Sequence, residues 1–185
     1  APQVVSPALR SNVRCPPVRT AGGELLLAGY DDLFYRAVFF ASPDGMDWTF
    51  RSALPNQPGN LQPCPVRLAD GRLLAVMRPA WDRELLVTAS DDDGWTWSAP
   101  VGSGFANPGS AACLLRLAAD TLILIRNDGA ASRHRLVAGL STDAGRTWPY
   151  ERVLAASHNE VSYPSAAAGP DGTIHVVYSR DRRAI

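Results

Sequence analysis

A chain of 185 residues is long enough to bury one substantial core, and its 18 basic residues balance 18 acidic ones. With no basic run, neither nucleic acid nor an anionic membrane surface is indicated as the main partner. No apolar stretch approaches the roughly 20 residues that cross a bilayer, and Ala1-Pro2-Gln3-Val4 lacks the charged-then-apolar pattern of a signal peptide, although a removed leader leaves the compartment open.

In chain order, residues 1–11 read as the last strand of an earlier unit, with Val4-Val5-Ser6 ended by Pro7. Residues 12–58 then form a first repeat: Pro17-Val18-Arg19, a turn at Gly22-Gly23, the apolar run Leu25 to Ala28, Ala37 to Phe40, and a last strand around Trp48-Thr49-Phe50. The same order returns in 59–105, with Pro65 to Leu68, a turn at Asp70-Gly71, Leu73 to Met77 and Leu85 to Thr88, and again in 106–157, with Cys113 to Leu117, Leu122 to Ile125 and Leu136 to Ala138. Residues 158–185 begin a fourth unit with Tyr163-Pro164-Ser165, the turn Asp171-Gly172 and Ile174 to Tyr178, and stop before its third and fourth strands. Short apolar runs punctuated by Gly, Pro and Asp predict antiparallel strands and leave no room for a long helix.

The units share a turn. Ser90-Asp91-Asp92-Asp93-Gly94-Trp95-Thr96-Trp97 reads Ser-x-Asp-x-Gly-x-Thr-Trp, and Ser141 to Trp148 repeats it without a gap. Ser42-Pro43-Asp44-Gly45-Met46-Asp47-Trp48 is a shortened copy without the Thr, and the copies begin 48 and 51 residues apart. That is the length of a four-stranded propeller blade. In each, Asp accepts backbone N–H bonds, Gly supplies a positive φ, Ser or Thr ties the loop ends, and Trp folds under the turn. Cys15, Cys64 and Cys113 are spaced 49 and 49, so they occupy one equivalent position and read as small buried side chains in preference to a disulfide or metal set. The expected fold is all-β, a β-propeller of four-stranded antiparallel blades, because a lone blade cannot bury both faces.

These turns resemble the Asp-box, or bacterial neuraminidase repeat, of the sialidases and related glycosidases. In that family the box lies between the third and fourth strands of a blade, away from the catalytic mouth. The resemblance implies part of a six-bladed propeller, its C-terminal half; a four-bladed ring closed by residues 3 to 6 is the topological alternative. Asn159 to Pro164, Gly172 to Tyr178 and Arg182-Arg183-Ala184-Ile185 resemble the last blade of the same group, and Asn60-Leu61-Gln62-Pro63 and Asn107-Pro108-Gly109-Ser110 resemble its blade entrances. What the resemblance implies is an exo-glycosidase of the sialidase type acting on a terminal acidic sugar, without cofactor. In that family a last-blade Tyr is the nucleophile, an acid activates it, arginines clamp the sialate carboxylate and an Asp on an early blade is the acid/base. Tyr163 matches the first role, Glu160 lies near but off the usual activating position, and Arg133 and Arg78 are the clamp candidates. Tyr163 departs from the family in preceding Pro164 where a Ser is common.

A propeller's mouth is lined by connectors entering the innermost strand, such as the one holding Gln62, and by those between second and third strands, such as Arg126-Asn127-Asp128. Arg78, Arg126 and Arg180 each stand where a second strand ends, and converging guanidinium forks suit an anionic sugar. Each also has a local acid, Asp82, Asp128 or Asp181, with which to pair on a solvated loop. Asp91 to Gly94 looks like a calcium loop but lacks the later Glu and the alternating oxygen ligands, and His134, His158 and His175 have no metal-ligand spacing. Other readings are a non-catalytic propeller that binds glycan or protein, and another glycosidase or lyase on the same scaffold. Uncovered blade faces would also favour self-association.

Overall fold

The computed structural model describes residues 11–183; the expected strand at Val4-Val5-Ser6 and the final Ala184-Ile185 lie outside them. The described residues contain strands and turns and no helix, so none long and apolar enough to cross a membrane. The first sheet contains β1 (Ser11–Val13), β2 (Val18–Arg19), β3 (Leu25–Asp31), β4 (Arg36–Ser42) and β5 (Thr49–Ala53). Both β1 and β2 pair antiparallel with β3. One inner strand is thus split at Cys15-Pro16-Pro17, where two prolines offer no N–H to a ladder.

The second sheet runs β6 (Asn60–Arg67), β7 (Leu73–Pro79), β8 (Glu84–Ser90) and β9 (Val101–Ala106); the third runs β10 (Cys113–Ala118), β11 (Thr121–Asn127), β12 (Arg135–Ser141) and β13 (Tyr150–Ala156). A two-stranded sheet follows, β14 (Val161–Ala168) with β15 (Ile174–Arg180). This is a β-propeller arrangement, in which each sheet meets its neighbours through the inner strands. One core cluster, with Leu26, Phe39, Leu73, Met77 and Leu86, joins the first two sheets, and a second, with Cys64, Cys113, Leu124, Leu136 and Val161, joins the remaining ones.

The repeated turns fasten themselves. In the second copy Ser90 Oγ accepts the Gly94 N–H at 2.9 Å, and Asp92 accepts the Thr96 N–H at 2.8 Å and the Thr96 hydroxyl at 2.6 Å. The third copy repeats this, with Ser141 Oγ accepting from Gly145 at 2.9 Å and Asp143 from Thr147 at 2.9 and 2.6 Å. Without its Thr, the shortened copy leaves Asp44 to accept from the Met46 and Asp47 N–H groups. Gly94 and Gly145 hold φ of 85° and 84°, and a Cβ at Gly94 would sit 3.0 Å from a Leu26 methyl. The Trp48 and Trp148 indoles donate to Gly45 and Gly145 carbonyls, whereas the Trp97 ring stacks on Phe39 of the preceding sheet at 4.3 Å.

The three cysteines are buried and free. Cys15, in the break between β1 and β2, and Cys64 and Cys113, on β6 and β10, line one axial cavity, in keeping with their equal spacing. Cys113 is held above the ordinary thiol range by its hydrogen bond to Cys64 and by burial, which keeps it in the unreactive neutral form.

Candidate active site

Registers decide which side chains meet. Leu73 and Leu122 lie opposite Ser90 and Ser141, the first residues of two repeated turns. Counted from those pairs, Arg78 is equivalent to Asn127, and Arg126 falls one residue earlier, level with Met77. In the last sheet Ser165 pairs with Val177 as Cys64 pairs with Val76, and Val161 pairs with Arg180 as Asn60 pairs with Pro79. Arg180 is therefore one residue beyond the Arg78 level. A shift of one residue in a strand turns the side chain to the opposite face, so the apparent arginine repeat at Arg78, Arg126 and Arg180 is not a convergent set.

The placements agree with that count. Arg126 is 6% exposed, pairs with Glu151 of β13 at 2.5 Å and lies over the Phe105 ring at 4.2 Å. It packs between sheets, where burial depresses its pKa. Arg180 has an exposed side chain 4.0 Å from Asp181 and faces a groove with His134 and His158, away from Tyr163. Neither bonds the Gly109 carbonyl that Arg78 reaches.

Arg133, Tyr163 and Glu160 do come together. Arg133 Nη1 donates to the Tyr163 hydroxyl at 3.2 Å and to Glu160 Oε1 at 3.1 Å, and its carbon centre lies 5.2 Å from the Tyr163 ring centroid. Its Nη2 donates to the Gly109 carbonyl at 2.9 Å, and Arg78 Nη1 donates to the same oxygen at 2.7 Å. Two guanidiniums from different sheets thus converge on one acceptor. Burial opposes the charge on Arg133, but its bonds to Glu160 and Tyr163 outweigh that and raise its pKa. Arg78 Nε is buried and has no partner among the described residues.

Glu160 is the hub beneath Arg133. It accepts from Ser162 Oγ, from Arg133 and from Arg182 Nε at 2.9 Å, and Ser162, then the two arginines, hold its pKa below the ordinary carboxylate range. Glu160 is anionic at neutral pH. Among the described residues no carboxylate bonds the Tyr163 hydroxyl, because Arg133 stands between it and Glu160.

Asn127 holds the frame. Fully buried, it donates through Nδ2 to the carbonyls of Arg135 at 2.8 Å and Val161 at 2.7 Å, tying the β11–β12 connector that carries Arg133 to the strand that carries Tyr163. The Arg133 carbonyl in turn accepts the Val161 N–H at 2.7 Å. Asn127 is placed to position the site and not to face a ligand. Gln62 is the counterpart of Tyr163 in the second sheet: both sit in a bulge of an inner strand, both precede proline, and both have φ of 54°. Proline disfavours most compact conformations at the residue before it and positive φ is costly for non-glycine residues, so both side chains are held in place by strained backbone. Gln62 Nε2 reaches the Tyr30 hydroxyl at 3.4 Å, and its Oε1 is buried with no donor among the described residues.

Sequence reasoning passed over Arg14, although it read the segment that holds it. The guanidinium spans the axis, donating to the Pro164 carbonyl at 2.7 Å and the Ala112 carbonyl at 3.5 Å, and lies 5.8 Å from the Tyr163 ring centroid. Its place just before the repeating Cys15 was the available signal. The Gly109 carbonyl carried none, since backbone acceptors have no residue type.

The family model of the BNR repeat-like domain matches residues 2–176. No curated protein sequence matches the chain. Among solved structures, the NanB sialidase from Streptococcus pneumoniae superposes with a TM-score of 0.70 at 21% identity over 88% of this chain and 26% of that one. The Hadza microbial sialidase Hz136 gives 0.68 at 21% identity over 81% of this chain and 31% of that one. The α-L-arabinofuranosidase Arb93A from Fusarium graminearum gives 0.64 at 23% identity over 91% of this chain and 56% of that one. The chain spans between a quarter and just over half the length of these structures, and at such identities the likeness shows the shared propeller fold.

Proposed function

Since the chain belongs to the BNR repeat-like domain family, we propose that it forms part of the mouth of an exo-acting glycoside hydrolase that takes a terminal acidic sugar of the sialic acid class. The observation that carries this reading is the meeting of Arg133 and Arg78 on the Gly109 carbonyl beside the Tyr163 hydroxyl. An acceptor shared by two guanidiniums is the arrangement a substrate carboxylate would take over, with forked charge-assisted bonds replacing weaker ones to a neutral carbonyl.

In this reading the Tyr163 oxygen bonds the anomeric carbon as the glycosidic bond breaks; the departing alcohol takes a proton from the acid/base carboxylate, and the phenolic proton passes to a base of the intact protein outside the described residues. A phenol is a weak nucleophile until a base takes its proton, and the bond from Arg133 at 3.2 Å holds the Tyr163 oxygen in place. A neutral phenol avoids the repulsion that a carboxylate nucleophile would suffer from the sugar's own carboxylate, and a Tyr nucleophile is the recognised exception for this class. Glu160 acts through Arg133 as a positioning residue, with Arg182 and Ser162 holding it from the other side. The acid/base carboxylate would come from another part of the intact protein, where nothing among the described residues stands.

The neighbouring arabinofuranosidase keeps other glycosidase specificities in view. A glycan-binding propeller without turnover is the second reading. It is favoured by one observation: Gln62-Pro63 shares the strained bulge of Tyr163-Pro164, so the bulge is not peculiar to a nucleophile. Turnover of an aryl sialoside by the intact protein separates the two, and Tyr163→Phe should remove most of it. An intact protein inert on sialosides and uronic-acid glycosides alike, yet binding a glycan equally well with Tyr163→Phe, would leave the binding reading standing.

A further inference from the structure

A true arginine repeat lies at the other end of the inner strands. Arg67 pairs with Leu73 and Arg116 with Leu122, and each of those leucines lies opposite the first Ser of a repeated turn; Arg19 pairs with Leu25, which lies opposite Ser42. Arg19, Arg67 and Arg116 therefore share one register in three successive sheets. They close the end of an axial cavity of about 380 Å³ that Arg14 and the three cysteines line nearer the mouth.

Among the described residues no carboxylate lines that cavity and none of the four arginines is ion-paired. Each is held instead by backbone carbonyls: Arg19 by Gly23, Arg67 by Thr20, Arg116 by Ala119 and Arg67, and Arg14 by Pro164. Carbonyl bonds orient the guanidiniums without neutralising them. Four like charges around one concavity repel one another, and an oxyanion between them would relieve that repulsion while using their free N–H groups. The proline, valine and leucine side chains on the wall lower the local dielectric and strengthen the attraction.

We propose that this cavity, on the far side of Arg14 from Tyr163, binds a tetrahedral oxyanion, a phosphate or sulfate group either free or at the end of an ester. A tetrahedral anion presents oxygens in three dimensions and so reaches guanidiniums on several blades at once. The site is separate from the mouth and does not depend on the chain's being a glycosidase.

The test is calorimetric titration of the intact protein with inorganic phosphate and with sulfate, at ionic strength held constant with chloride. A saturable one-to-one isotherm is expected. Arg19→Gln should weaken it about tenfold, the loss of one charge-assisted pair, and this side chain bonds only its own turn, so the fold should survive. Arg67→Gln combined with Arg116→Gln should abolish the isotherm, and Arg78→Gln at the mouth should leave it unchanged. Tighter binding of a sugar phosphate than of inorganic phosphate would identify an ester as the ligand; the reverse order would identify the free ion. Absence of a saturable isotherm for the wild type, or one unaltered by Arg19→Gln, overturns the proposal whatever the double variant does.

Discussion

The repeated turns and the mouth solve the same problem, polar groups that must be satisfied at the ends of strands, in opposite ways. In the turns Ser90, Asp92 and Thr96, like Ser141, Asp143 and Thr147, find partners within four residues of themselves. At the mouth Arg133 reaches 24, 27 and 30 residues away, and Arg14 reaches 150. Local fastening makes a turn that any blade can carry as a unit. Distant bonding makes a site that exists only once several sheets are packed, and its members can be changed without unmaking any one blade.

The largest effect should fall on activity with little on folding. In the intact protein Arg133→Ala removes the charge-assisted bonds to Tyr163 and Glu160, about 1.5–3 kcal/mol for each bond that is stronger in the transition state. A fall in kcat/KM of roughly ten- to a hundred-fold or more should be measured. Urea midpoints within error of wild type would confirm that the mouth is dispensable for the fold, while a collapse in stability would erase the contrast.

Glycine substitutions should show the reverse. Gly94→Val and Gly145→Val each place a β-branched residue at positive φ, which costs about 1–3 kcal/mol. Gly94→Val should be the worse, because its Cβ meets Leu26 methyls at 3.0 and 3.1 Å, against 3.3 Å to Leu74 at Gly145. Thermal melts showing no loss for either would show that the turns do not staple the blades, and equal losses would show that the closer Leu26 methyls add nothing to the backbone strain.

Arg126→Met sharpens the comparison at a single side chain. Its register counterpart is Met77, and the change gives up the contacts to Glu151 and Phe105 between sheets. Activity should stay within about twofold while the melting temperature shifts by a few degrees. A selective loss of substrate affinity would instead return Arg126 to the clamp.

The smallest effect concerns acid. Asp143 is pushed down to about 2, from an ordinary 3.8, first by the Thr147 hydroxyl, then by the Thr147 N–H and Ser141. A depressed folded-state pKa means that this stabilisation is fully present above the unfolded value and is lost as pH falls through the folded one. Asp143→Asn should therefore flatten the decline in melting temperature between about pH 4 and pH 2. An unchanged acid limb would mean that the turn carboxylate is not coupled to folding.

Much of the architecture was readable before any coordinates, because a blade is a local object. Strand runs, Gly turns and the Ser-Asp-Gly-Trp pattern all act over a few residues, so their repetition announced an all-β propeller, and the equal spacing of Cys15, Cys64 and Cys113 placed them at equivalent positions. Tyr163, Glu160 and Arg133 were also nameable, through resemblance to the last blade of a known family. The apparent repeat of Arg78, Arg126 and Arg180 misled, since a spacing counted along the chain does not reveal a one-residue difference in register. The real repeat, Arg19, Arg67 and Arg116, was visible in the same strings but had no meaning until the cavity between them was seen.

The residue pattern by itself determined that this chain builds blades, where their turns fall and how those turns are fastened, because hydrogen bonds four residues apart and side chains alternating along a strand are set by covalent connection. Only the tertiary structure decided which charges share a space. Arg126 lies beside Glu151 and Arg78 beside Gly109, and Arg133 rather than Glu160 touches the Tyr163 hydroxyl, because pairing register and the packing of one sheet on the next orient side chains that the chain itself keeps tens of residues apart.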